Sequence, residues 1–193
     1  MTSIGIFLFD GAEELDWAGP WEVLAFWATQ WPDEAHTFTF ARNAGPVTCA
    51  KGLRVLPDHD LASMPDMDVL VYPGGRGTRP QLSNDAIKSW VRQTEESGVL
   101  MTSVCTGSLV YAAAGLLDDR PATTHWASTD LLRSLGNNID VRDDRFVDDG
   151  NVVTAAGVSA GIDMALHLVA RLQSPDRARE VRRGIQYDPE PPV

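Results

Sequence analysis

Apolar residues fall along this chain in two kinds of run. Short, nearly continuous stretches at 4–9, 67–72 and 99–104 have the length and branched side chains of strands buried on both faces. Between them lie segments whose apolar positions recur at helical spacing. Residues 16–29 carry Trp17, Trp21, Leu24 and Trp27 in this way, with Pro20 placed in the first turn, where proline is tolerated. Residues 84–97 place Ile87, Trp90 and Val91 on one face, and Gly98 follows as a stop. Further helices are predicted over 106–114, 128–134, 159–172 and 175–185. Residues 36–42 alternate as a strand, and 47–50 with 53–56 read as a small hairpin around Lys51-Gly52. A second hairpin is predicted from 141–147 and 151–155, turning at Asp149-Gly150. Strands alternating with helices predict an α/β fold, a three-layer sandwich around a mainly parallel sheet. Ligand sites in such folds lie beyond the carboxyl ends of the strands.

The length of 193 residues suits one domain over 1–193, with a core large enough to need no staples. Charge narrows the partners. There are 27 acidic and 16 basic residues, a net charge of −11, so nucleic acid and anionic membranes are poor candidates. The acids are mostly Asp, and the only lysines are Lys51 and Lys88, a bias that either surface solubility or a salty cytosol would produce. No apolar run reaches 18 residues, and the start, Met1-Thr2-Ser3-Ile4, has no basic stretch. These features predict no membrane span, no secretory leader and a cytoplasmic protein with free thiols at Cys49 and Cys105.

Candidate chemistry gathers at two strand ends. Pro73-Gly74-Gly75-Arg76-Gly77 follows the second buried strand, and its glycines let backbone N–H groups approach a ligand as an oxyanion hole, or serve only as a tight turn. Ser103-Val104-Cys105-Thr106-Gly107 follows the third. A cysteine at a strand-to-helix junction with a glycine close behind has the layout of a nucleophile elbow. The positive end of the next helix is expected to lower the Cys105 pKa, and the Thr106 N–H to serve as an oxyanion donor. A small core cysteine is the competing reading. Asp16 is either the N-cap of the first helix or an acid facing Cys105 whose pKa burial and the thiolate would raise. His125 is a candidate proton shuttle or a structural histidine. His36, His59 and His167, in a predicted strand, loop and helix, show no metal-ligand spacing.

Together these segments resemble the PfpI/ThiJ superfamily, the class I glutamine-amidotransferase-like group with its flavodoxin-like α/β fold. The resemblance rests on Pro73-Gly74-Gly75 with Val104-Cys105-Thr106-Gly107, and on Leu15-Asp16-Trp17-Ala18-Gly19-Pro20. Segments 103–110, 113–117 and Ala122-Thr123-Thr124-His125-Trp126 are similar to its isocyanide hydratase branch, as are Ala160-Gly161-Ile162-Asp163 and the tail 187–192. The same pattern occurs ahead of DNA-binding helix-turn-helix domains in AraC-type regulators, and no such domain is expected before Val193. Thr106 stands where the peptidase branch has histidine, which argues against proteolysis. Asp16 stands where the oxidative-stress branch has glutamate.

The resemblance implies cofactor-free and metal-free hydration of a small isonitrile to an N-substituted formamide. Cys105 would be the nucleophile and Asp16 the proton donor. Gly74, Gly75 and Thr106 would orient the intermediate. Trp17 and Trp21 would line the pocket or belong to the core or a dimer interface, and a homodimer is implied. The alternatives are a glyoxalase-like or hydrolytic activity on another small molecule, and a redox-sensing cysteine without turnover.

Overall fold

The computed structural model describes residues 1–190. The tail motif at 187–192 is therefore seen as far as Glu190, and Pro191 and Pro192 lie outside the described residues. Among the described residues, eleven strands and six α-helices follow the alternation expected from the apolar pattern. The main sheet holds β1 (Thr2–Leu8), β2 (Ala35–Ala41), β5 (His59–Asp60), β6 (Val69–Tyr72), β7 (Leu100–Val104), β10 (Phe146–Asp149) and β11 (Val152–Ala155). Its order is β10-β11-β7-β6-β1-β2-β5. Every pairing in it is parallel except β10 with β11. A mostly parallel sheet must be covered on both faces, which is why β6 and β7 are buried along their whole length.

The helices are α1 (Glu14–Gln30), α2 (Asp85–Glu96), α3 (Gly107–Ala113), α4 (Thr129–Leu135), α5 (Ala160–Leu172) and α6 (Pro175–Gly184). From β1 the chain crosses through α1 to β2, toward one edge; from β6 it crosses through α2 to β7, toward the other. Right-handed crossovers in opposite directions put α1 and α2 on opposite faces. Helices α1, α5 and α6 pack together, as do α2, α3 and α4. Under α2, the rings of Phe7, Tyr72 and Trp90 meet in tilted contacts at centroid distances of 5.1–6.4 Å, which add to plain burial. The reversal of crossover direction falls between β1 and β6, so the loops after β1, β6 and β7 share one end of the sheet.

Four local expectations need correcting. Helix α1 starts at Glu14, and its N-cap, Glu13, makes no side-chain capping bond. Asp16 therefore lies inside the first turn and is not the cap. Pro20 lies nearly two turns into α1. Having no N–H, it leaves the Asp16 carbonyl without its usual helical partner. The ring fits because the facing residue on α5 is small: a Cβ on Gly161 would lie 3.1 Å from the Pro20 ring, and one on Gly19 3.0 Å from Ile162. The strand predicted over 141–147 is split. Its start, β9 (Asp140–Val141), pairs in parallel with β8 (Pro121–Ala122) outside the main sheet, and only β10 joins β11. The charged run Arg142-Asp143-Asp144-Arg145 between them has no apolar face to bury. Finally, His59, read as a loop residue, lies in the edge strand β5.

The hairpin expected around Lys51-Gly52 forms as β3 (Val47–Thr48) with β4 (Arg54–Val55). Asn84 and Ser174 cap α2 and α6, accepting from the Ile87 and Arg177 N–H groups. Among the described residues Asp16 is the only carboxylate that is buried, so the acidic excess lies on the outside. No helix among the described residues is long and apolar enough to cross a membrane.

Candidate active site

Strand β7 delivers Cys105 into a turn before α3, and at that turn Cys105 has a φ of 56°. A non-glycine residue in this left-handed region is strained, and such strain persists only where neighbours hold it. Here the Cys105 N–H donates to the Ala155 and Ala156 carbonyls at 3.0 Å. Its carbonyl accepts from Thr124 Oγ1 at 2.9 Å and Ser108 Oγ at 3.1 Å. Gly107 lets the turn close, since a Cβ there would lie 2.4 Å from the Tyr72 carbonyl. The side chain faces a cleft of 360 Å³, whose lining includes Gly75, Thr106, His125 and Val158. Cys105 itself is only 6% exposed.

The glycine turn after β6 holds the other partners. The Gly74 N–H donates to Asp16 Oδ2 at 2.9 Å and the Gly75 N–H to Thr106 Oγ1 at 2.9 Å. The expectation that the Gly75 N–H would face a ligand is thus corrected: Thr106 already takes it. The backbone N–H groups that favour negative charge on the Cys105 sulfur are instead those of Thr106 and Val158. Thr106 is expected there from the sequence. Val158 is not, and its φ of 46° is unusual for a β-branched residue. The only hint in the sequence is its position in Gly157-Val158-Ser159, between the last strand and the next helix.

Space around Gly74 is exhausted. A Cβ there would lie 2.5 Å from the Thr106 nitrogen and 2.8 Å from Asp16 Oδ2. Gly74→Ala is expected to push the glycine turn away from the elbow. A shift of about 1 Å at a reacting centre lowers turnover roughly 100-fold, and overpacking of this kind destabilises by roughly 1–3 kcal/mol. Paired activity and melting measurements would show both losses; wild-type values would mean the contact is not tight.

Asp16 is fully buried, and its Oδ1 has no hydrogen-bond partner. Burial pushes its pKa from 3.8 up to about 7; the Gly74 N–H opposes the rise, and the charge of Glu13 adds to it. The carboxyl acts on the Cys105 thiol, and the thiol on it. Burial first, and the Asp16 charge second, push the Cys105 pKa up to about 12, against the N–H groups of Thr106 and Val158. This reverses the expectation of a thiol pKa lowered by the helix end: α3 has only seven residues, and desolvation outweighs it. The pair consequently sheds its first proton from the carboxyl and keeps the second on sulfur.

Other candidates fall differently. His125 lines the cleft, but its Nδ1 accepts from the Ala127 N–H at 3.2 Å and its ring packs on Trp126 at 5.4 Å. Trp17 does not line the cleft. It is 8% exposed, within the core, and its N–H has no hydrogen-bond partner. Trp21 packs partly buried on the same core. Cys49 is buried and its thiol, too, is pushed up by desolvation. Among the described residues no cluster of three or more His, Cys, Asp or Glu is arranged to hold a metal.

A parallel α/β sheet with a buried cysteine at a strand-to-helix elbow, a carboxyl against it and a glycine turn alongside defines a class of thiol-bearing α/β proteins. The chain belongs to the DJ-1/PfpI family, whose model matches residues 2–171. It is 41% identical over 189 residues to isonitrile hydratase of Pseudomonas putida, covering 98% of this chain and 80% of that one. It is 34% identical over 143 residues to the HTH-type transcriptional regulator CdhR of Pseudomonas aeruginosa, covering 72% of this chain and 41% of the regulator. The crystal structure of a ThiJ/PfpI family protein from Pseudomonas syringae superposes with a TM-score of 0.89 at 32% identity, covering 100% of this chain and 77% of that one.

Proposed function

We propose that this protein adds water to an isonitrile to give an N-substituted formamide, with Cys105 as nucleophile and Asp16 as the group that moves protons. The observation that carries the reading is the buried Asp16–Cys105 pair, in which the carboxyl titrates near neutrality and the thiol stays protonated. A buried thiol cannot attack until something takes its proton, and the adjacent carboxylate is the acceptor. As sulfur bonds to the isonitrile carbon, the thiol proton passes to Asp16. Asp16 then delivers it to that carbon, giving the thioimidate R–N=CH–S–Cys105. Water adds to the carbon while Asp16 takes one of its protons and passes it to the nitrogen. The carbon–sulfur bond breaks as the added hydroxyl becomes the carbonyl, its proton returns through Asp16 to the thiolate, and the product leaves as R–NH–CHO. The N–H groups of Thr106 and Val158 stabilise negative charge on sulfur at each passage. The steps as written need no metal or organic cofactor. The likeness to isonitrile hydratase over nearly the whole chain supports the same reaction class.

A redox sensor needs an exposed thiolate of low pKa. Cys105 holds its proton, and a protonated thiol is a poor target for oxidation, which favours the enzymatic reading.

The test is formation of formamide from a simple aliphatic isonitrile as a function of pH. Asp16 must be ionised to receive the thiol proton. Hence kcat/KM should rise as pH increases through about 7 and stay level until the thiol itself ionises. Absence of formamide at every pH would refute the reaction. A rate that falls as pH rises through 7 would refute the role of Asp16.

A further inference from the structure

We propose that the cleft selects isonitriles that carry a carboxylate close to the isonitrile group, and that Arg76 and Arg79 hold that carboxylate. The chemistry rests on the hydratase reading; the preference for an anion does not.

Both arginines line the 360 Å³ cleft that Cys105 faces. They stand in a chain with a net charge of −11. Among the described residues, ten of the sixteen Lys and Arg have a carboxylate within 4.0 Å. Arg76 and Arg79 are not among those ten. In a protein so rich in carboxylates, two arginines on one cleft wall with none beside them leave positive charge available to a ligand. Each is nevertheless anchored. Arg76 Nη2 donates to the Ala50 carbonyl at 2.6 Å, and Arg79 Nη2 donates to Ser128 Oγ at 3.3 Å. A guanidinium has five N–H donors, so each anchor leaves several directed elsewhere, in the fork geometry that suits a carboxylate.

The carboxylates nearby do not cancel this charge. Glu13 also lines the cleft, but it is ion-paired with Lys51. Asp16 does not itself line the cleft, and its carboxylate is engaged by the Gly74 N–H. Thr106, His125 and Ser128 add polar side chains to a wall that also carries Ala127 and Val158. The small volume limits the carboxylate to a few bonds from the isonitrile carbon, as in a 2-isocyano acid. Water adds to that carbon and the carboxylate is unchanged, so the product is an N-formyl amino acid.

The probe pair is isocyanoacetate and its methyl ester, which differ in charge at nearly constant size. The wild type is expected to favour the acid over the ester in kcat/KM by about tenfold or more, the order of a charge-assisted hydrogen bond. Arg76→Gln and Arg79→Gln should each shrink that ratio severalfold, and the double variant should bring it to about one. Arg183→Gln, on α6, should leave the ratio unaltered. A second readout needs no hydration: the rate of Cys105 alkylation by iodoacetate relative to iodoacetamide. This ratio should be higher in the wild type than in the double variant. If neither isonitrile is consumed but the alkylation ratio still depends on the two arginines, the hydratase reading fails and anion selection stands. If both isonitriles are consumed at equal efficiency and the alkylation ratio matches that of the double variant, anion selection is overturned and the hydratase reading survives.

Discussion

Asp16→Asn is expected to lower isonitrile turnover by roughly 100- to 10,000-fold, the span of a positioned acid–base group, while making the protein more stable at neutral pH. The two effects have one cause. The amide oxygen of the variant would still accept the Gly74 N–H, so the glycine turn has no reason to move. What disappears is the carboxylate that receives the thiol proton. The stability gain follows from the raised pKa. In the folded protein Asp16 holds its proton to about pH 7, against 3.8 for an ordinary aspartate. Its unfavourable contribution is therefore absent below about pH 4, grows as pH rises toward 7, and is complete above. The gap corresponds to at most roughly 4 kcal/mol. For a chain of this size the melting temperature of Asp16→Asn should exceed the wild type's by roughly 5 °C or more at pH 8, with the difference vanishing near pH 4. A variant that is inactive and equally less stable at every pH would mean that Asp16 serves the fold rather than the reaction.

Cys105→Ala is expected to remove turnover to the background of the uncatalysed reaction, and Cys105→Ser to do nearly the same. Serine has the same shape with a slightly smaller head group and keeps a proton, so it separates chemistry from packing. Its hydroxyl is far harder to deprotonate than a thiol, and a carboxylate titrating near 7 cannot do it. Both variants retain the elbow, because the backbone bonds of residue 105 to Ala155, Ala156, Thr124 and Ser108 do not involve the sulfur. Asp16 should respond as well. With the thiol gone, its carboxylate loses a hydrogen-bond donor that lowers its pKa, so in Cys105→Ala the carboxyl should titrate higher than in the wild type. NMR titration of the Asp16 carboxyl carbon would register the shift, and a midpoint unchanged by the substitution would show that the two groups are not in contact.

Much of the framework is legible in the sequence because the strands that carry it are buried on both faces. The runs before Asp10, Pro73 and Cys105 are apolar with little interruption, and each ends at a sharp turn, so the sheet and its functional edge follow from pattern alone. Cys105 and the Gly74-Gly75 turn are legible for the same reason: their places are fixed by the strands before them. Asp16 is visible as a candidate, but its place inside the first turn is not, because the helix opens at Glu14, whose Oε1 accepts from the Lys51 N–H far along the chain. Pro20 misleads for a related reason. Its ring is tolerated in the body of α1 only because Gly161 leaves room on α5, far along the chain. The sign of the Cys105 shift depends on how completely the folded chain dries the thiol, which no local pattern encodes. Val158 is the clearest omission. A backbone N–H has no residue type, and a β-branched side chain argues against the left-handed conformation that aims it.

The central claim is that the Cys105 sulfur bonds to the isonitrile carbon. The most direct measurement is acid quench of the wild-type protein during turnover, followed by peptide mass mapping. The expected result is one added isonitrile mass on the peptide carrying Cys105, none on the peptide carrying Cys49, and formamide as the released product. Formamide released at the wild-type rate by Cys105→Ala, which has no sulfur to form the adduct, would contradict it.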